Sequence, residues 1–60
     1  MVVLTQEGLK AEVLTTGYAN GVKVYAVRTH AGTCFTVEAL KVHRIEDKDF
    51  EPFQAPTVTG

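Results

Sequence analysis

The sequence is poor in the residues that usually stabilise a very small protein. Its 60 residues include one cysteine, Cys34, and no tryptophan. A single cysteine excludes an intramolecular disulfide, and no group of cysteines and histidines has the spacing of a structural zinc site. A chain this short buries only about 60% of the surface that its unfolded form exposes. We therefore expect one domain with a thin core that depends on an economical fold or on a partner.

A strong charge of one sign and long apolar runs are also missing. Six lysines and arginines against seven aspartates and glutamates give a formal net charge of −1, whereas nucleic-acid-binding modules usually carry a clear positive excess. No stretch approaches the roughly 20 apolar residues that cross a bilayer. The start, Met1 to Leu4, lacks the basic lead and the cleavage site of a secretory signal. These features predict a soluble, cytoplasmic protein without a membrane contact.

Short β-type segments separated by glycine turns make up most of the chain. The pair Asn20-Gly21, between two apolar runs, indicates a hairpin because both residue types tolerate positive φ. A second turn is expected at residues 30–33, and one turn of 3₁₀ helix at residues 38–40. Strands are predicted at residues 2–5, 9–16, 22–29, 34–37 and 41–45. We therefore predict an all-β fold, a small five-stranded barrel over residues 1–46, followed by an acidic, proline-containing tail over residues 47–60.

The order of these elements resembles that of the SH3-like barrels, in particular the Tudor- and KOW-type modules. The resemblance covers about residues 8–45 and depends on pairs of alternating apolar residues and one glycine. These are Ala11 with Val13, Tyr25 with Val27, Gly32, Phe35 with Val37, and Leu40 with Val42. It implies that the apolar side chains of this set point into the barrel. It implies little about function, because one fold serves many functions.

One enzyme family shares part of this pattern. The type II dihydrofolate reductases are SH3-like barrels of similar size, and the chain is similar to them at Tyr25-Ala26-Val27, at Gly32 and at Val37-Glu38-Ala39-Leu40. Where that family has the Gln-Ile-Tyr run of its site, this chain has Cys34-Phe35-Thr36. The resemblance therefore implies a shared fold but not the activity.

Alternation along the strand 22–29 leaves apolar side chains outside the barrel. If Tyr25 points inward, then Val22, Val24 and Ala26 point outward. The N-terminal strand or the tail could cover this face, or a protein partner or a second copy of the chain could do so. A strand register shifted by one residue would exchange the two faces.

The tail contains a pattern that is common in peptides that dock into grooves. Phe50 and Phe53 stand three residues apart among acids and prolines. Either one of these phenylalanines packs back on the barrel, or both contact a partner. The candidate protein-binding residues are therefore Val22, Val24, Ala26, Phe50 and Phe53.

Nucleic-acid binding is the main alternative. Basic and aromatic side chains could form a strip for phosphates and stacked bases, or they could be ordinary solvated charges. So few phosphate contacts predict weak binding that falls quickly with salt. The residues of this strip are Tyr18, Lys23, Arg28, His30, Lys41, His43 and Arg44.

No catalytic site, metal, cofactor or small-molecule substrate is expected. Cys34 could act as a nucleophile with His30 or His43, or the three could bind a metal, but neither an orienting group nor a known ligand spacing accompanies them. The acids of residues 46–51 lack the spacing and the glycine of a calcium loop. The sequence therefore predicts a non-enzymatic protein-interaction module, self-associating or bound to a protein partner, of the kind found as a small accessory or virion protein of a phage or plasmid.

Overall fold

The computed structural model describes residues 1–54, which form a single five-stranded antiparallel sheet with short connections. The strands are β1 (Val2–Leu4), β2 (Lys10–Ala19), β3 (Val22–Thr29), β4 (Cys34–Glu38) and β5 (His43–Ile45), and 3₁₀ turns span Ala39–Lys41 and Asp47–Asp49. Their order across the sheet is β4-β3-β2-β1-β5. The all-β prediction is confirmed, as is the 3₁₀ turn before the last strand. The predicted tail can be followed to Gln54, and its last six positions, 55–60, lie outside the described residues.

The Asn-Gly hairpin between β2 and β3 is present and sets the length of both strands. Asn20 and Gly21 both have positive φ, 52° and 78°, which matches the twist of a tight two-residue hairpin turn. Because the turn needs only these two residues, β2 continues to Ala19 and does not end near Thr16 as predicted. Beside the turn, Tyr18 pairs with Lys23.

A β-bulge interrupts β2 in its middle. Val13 lies opposite Val27 and Thr15 lies opposite Ala26, so Leu14 is an extra residue without a partner on β3. A bulge bends its strand and increases the local twist. The break in sequence alternation at Leu14 therefore marks the point where the hairpin bends away from the rest of the sheet.

The core lies on one face of the sheet, which we call the inner face. Val3, Ala11 and Val27 are buried there, and partly buried side chains surround them. The surrounding residues are Val13, Tyr25, Phe35, Val37 and Val42. The predicted inward set is thus confirmed except at Leu40, which is 96% exposed. Leu40 lies in the 3₁₀ turn, where the alternation of a strand does not apply.

The sheet does not close into a barrel, so this part of the prediction is wrong. Strand pairing in the described residues joins β4 to β3, β3 to β2, β2 to β1 and β1 to β5, which leaves β4 and β5 as the two edges. Closure would require a ladder between those edges. The chain between them makes only the turn Ala39–Lys41, and β5 has three residues. No helix in residues 1–54 is long and apolar enough to cross a membrane.

Candidate interaction surface on the outer face

The face opposite the core, the outer face, is the candidate site. Directly paired residues share a face, so the pairs of Glu12 with Val2 and with Arg28 form one row across the sheet. Closer to the hairpin turn, Gly17 pairs with Val24. We call the end with Glu12 the tail end and the end with Val24 the hairpin end.

The tail lies across the tail end of this face. Phe50 and Pro52 line a cleft of about 180 Å³ together with Val2 and Glu12. Val2 is only 4% exposed although it lies on the outer face. Residues 47–53 therefore cover the outer face of β1. This agrees with the prediction that a phenylalanine of the tail packs back on the sheet.

Phe53 packs against the turn between β3 and β4. A Cβ atom at Gly32 would lie 2.7 Å from Cε2 of the Phe53 ring, closer than real side-chain contacts allow. Gly32 also has φ of +92°, a conformation that residues with a Cβ rarely adopt. Glycine is thus required here both for the turn and for the approach of the ring.

Two polar contacts hold the backbone of the tail. Lys10 Nζ donates a hydrogen bond to the carbonyl oxygen of Asp49 at 3.0 Å, and His30 Nδ1 lies 3.0 Å from the carbonyl oxygen of Glu51. Both groups are exposed, so each contributes modestly to stability. Their effect is to fix the path of a segment that carries three acidic side chains, Asp47, Asp49 and Glu51.

An ion pair lies beneath the tail. Arg28 Nη2 is 3.9 Å from Glu12 Oε2, with both side chains about one third exposed. Glu12 Oε2 and Arg28 Nε are buried atoms without a hydrogen-bond partner in the described residues. The Arg28 guanidinium instead lies 5.3 Å from the centre of the Phe53 ring, a cation–π distance. The ring thus partly replaces the water that Arg28 loses.

Among residues 1–54, no segment covers the hairpin end of the outer face. Val22 is 40% exposed and Leu14 is 46% exposed, while Val24 and Ala26 are half-buried. The structure therefore places the predicted residues Val22, Val24 and Ala26 on one face. It places Phe50 and Phe53 on that same face but at the opposite end, folded onto their own sheet.

The predicted nucleic-acid strip is divided among several places. Strict alternation along β3 puts Lys23 and Arg28 on opposite faces. Lys23 Nζ lies 5.6 Å from the centre of the Tyr25 ring, and its cross-strand neighbour Tyr18 is 72% exposed. Arg28 and His30 contact the tail as described above. Arg44 lies in β5, where it pairs with Val3 of β1.

Lys41, the remaining cation of that strip, has an acidic partner. Its Nζ lies 2.9 Å from Glu38 Oε2. This hydrogen bond, with the attraction of the carboxylate charge, raises the pKa of Lys41 above its usual value. The charge of Lys41 is thus partly compensated, and a phosphate would compete with Glu38 for it.

The thiol of Cys34 is exposed, and its Sγ lies 3.8 Å from the carbonyl oxygen of Gly32. No group of three or more potential metal ligands occurs in residues 1–54.

Comparison of the chain with family models, curated proteins and solved structures finds no match.

Lys10, Glu12 and Gly32 contribute to the seat of the tail, and sequence reasoning did not select them for this role. Glu12 and Arg28 carry opposite charges, but only the strand register shows that they are neighbours. The sequence predicts Gly32 only as a turn residue, and nothing around it in the sequence indicates that the Phe53 ring packs on it.

Replacing Phe53 with alanine should release the tail from the Gly32 turn. We expect the α protons of Gly32 to lose their ring-current shift in proton NMR spectra. The free energy of unfolding should fall by about 1–2 kcal/mol, less than for a fully buried phenylalanine. The matched control is Gln54→Ala, a change at the exposed neighbouring residue, which should alter neither quantity. Unchanged Gly32 shifts in Phe53→Ala would contradict the packing described here.

Proposed function

We propose that the protein is a non-enzymatic protein-interaction module whose contact surface is the hairpin end of the outer face. The supporting observation is that Val22 and Leu14 stay 40% and 46% exposed while the tail covers the other end of the same face. An apolar surface beside a covered one on so small a domain is typical of an interface. The partner is a protein with an apolar surface of its own.

We further propose that the fold is an open relative of the SH3-like barrels. The support is the order of elements: a two-residue hairpin turn between β2 and β3, a second turn before β4, and the 3₁₀ turn Ala39–Lys41 between β4 and β5. A cytoplasmic location and a role as an accessory or virion protein of a phage or plasmid belong to the same proposal and depend on the sequence alone.

The tail limits how much of the outer face a partner can reach. It already occupies the surface around Val2 and Arg28, so a partner that binds at the hairpin end meets Phe53 and Glu51 at its boundary. The acids of the tail then favour partners with basic residues next to their apolar contact, because opposite charges at the rim speed association.

Val24→Lys tests this proposal. Val24 is half-buried on the outer face, so we expect a folded protein that no longer binds its protein partner. The readouts are the melting temperature and capture of a protein partner from the native host, identified by mass spectrometry and then purified for titration. Thr16→Lys is the control, because it adds the same charge on the other face of the same hairpin. Loss of folding in Val24→Lys would show that the faces are reversed, and binding that survives the change would exclude this surface.

A weak nucleic-acid contact is the second candidate, supported by the cluster of Tyr18, Lys23 and Tyr25. Lys23 lies over the Tyr25 ring and Tyr18 offers a free aromatic face, a combination that suits stacked bases and phosphates. This function predicts binding to mixed oligonucleotides at low salt that falls by roughly tenfold or more at moderate salt and is lost in Lys23→Gln. Absence of binding at low salt excludes it, and Val24→Lys should leave it unchanged.

A further inference from the structure

We propose that β4 pairs with β4 of a second copy of the chain, antiparallel, about a two-fold axis at Thr36. This contact uses the edge of the sheet and is separate from the outer face, so it does not depend on the function proposed above.

The first support is a row of free backbone groups along β4. The Thr29 amide donates to the carbonyl oxygen of Thr33 at 2.9 Å. Hydrogen-bonded and non-bonded pairs alternate along an antiparallel ladder, so the N–H and C=O groups of Cys34, Thr36 and Glu38 point away from β3. Within residues 1–54 no strand lies on that side of β4. These groups therefore suit an added strand.

The second support is the contrast between the two edges of the sheet. The β5 edge is only three residues long and includes His43 and Arg44. Short length and charged side chains both protect an edge strand from pairing. The β4 edge is five residues long, with an exposed threonine, Thr36, at its centre. It contains no proline, lysine or bulge, and its one charged residue, Glu38, lies at its end and is paired with Lys41. β4 is thus the edge that remains available to another strand.

The third support is that β4 matches itself. When two β4 strands run antiparallel with Thr36 opposite Thr36, Phe35 lies opposite Val37 of the second copy, and Cys34 lies opposite its Glu38. The apolar pair falls on the inner face of both sheets, so the two inner faces become continuous. The outward backbone groups form bonded pairs in this register, with about six hydrogen bonds in total.

A cleft beside β4 gives the contact a place to bury side chains. It has a volume of about 290 Å³, and Val37 and Val42 line it together with residues 5–7. In the proposed register, Phe35 of the second copy lies next to Val37, at the mouth of this cleft. The partly exposed edge of that ring can then contact Val37 and Val42, while polar residues line the rest of the cleft.

Leu40 lies just beyond the end of β4, and its side chain is 96% exposed. The register places Glu38 opposite Cys34 of the second copy, so the 3₁₀ turn that contains Leu40 lies beside the Gly32 turn of that copy. The contact would thus partly cover the exposed Leu40 side chains of both copies. Because the same patch is used by both copies, the assembly closes as a dimer and does not grow.

An engineered disulfide tests the register. In the full chain with Cys34→Ser and Thr36→Cys, the two new cysteines face each other with Cα atoms about 5.5 Å apart, within the range of about 4.4–6.8 Å for a disulfide. We expect oxidised glutathione to link most of the protein into dimers on a non-reducing gel. The unmodified chain is the control, because its two Cys34 residues would be about 14 Å apart along the strands and should stay unlinked.

Leu40→Ser gives a second, non-covalent readout by sedimentation. We expect the dissociation constant of the dimer to rise by about tenfold or more, because the apolar contacts of two leucine side chains are lost. Tyr18→Ser, which also removes a large exposed side chain, should leave the dimer unchanged, and so should Val24→Lys. Failure of Thr36→Cys to link, or equal linking through Cys34, overturns the β4 contact. A dimer lost in Val24→Lys but not in Leu40→Ser assigns association to the hairpin end instead.

Discussion

The structure depends on how a chain of 60 residues covers the two faces of its five-stranded sheet. Few residues remain outside the strands to cover them. Only four apolar residues, Val2, Val3, Ala11 and Val27, are buried in the described part of the chain. Val3 is buried in the core and Val2 beneath the tail. β1 is therefore held from both sides, and its position depends on the tail as much as on the core.

The tail acts as the second layer of this small fold. It has no regular structure beyond one 3₁₀ turn, yet it covers Val2, lies over the Glu12–Arg28 ion pair and packs a ring on Gly32. As far as Gln54, it covers only one end of the outer face. The exposed valine and leucine at the hairpin end follow from that limit, and so does the surface proposed to bind a partner.

The local features of the fold could be predicted from the sequence because neighbouring residues determine them. Asn20-Gly21 specifies its own turn, and alternation along residues 22–29 separates Val27 from Val24. Closure could not be predicted in this way. It depends on whether two distant edges meet, and a three-residue β5 after a 3₁₀ turn does not reach β4. Leu40 was misplaced because it was paired with Val42 as if both belonged to a strand, whereas Leu40 lies in the 3₁₀ turn.

The position of the tail was also beyond sequence reasoning. Phe50 and Phe53 indicate that the tail docks, but their spacing suits a partner's groove and the chain's own sheet equally. The tail packs on Lys10 and Glu12 of β2 and on Arg28, His30 and Gly32, all far from it in sequence. The register of β2 and β3 brings these two groups together. The predicted nucleic-acid strip was divided for a different reason: alternation along β3 puts Lys23 and Arg28 on opposite faces, and the predicted strip ignored that alternation.

The central claim is that residues 47–54 of the tail cover one end of the outer face and leave the other end exposed. Solvent paramagnetic relaxation measures it most directly, with a soluble gadolinium chelate added to the protein and methyl relaxation recorded residue by residue. The account predicts slow relaxation for the methyls of Val2 and Val27, and fast relaxation for those of Val22 and Leu14. Fast relaxation at Val2, or protection of Val22 in the isolated monomer, would contradict it.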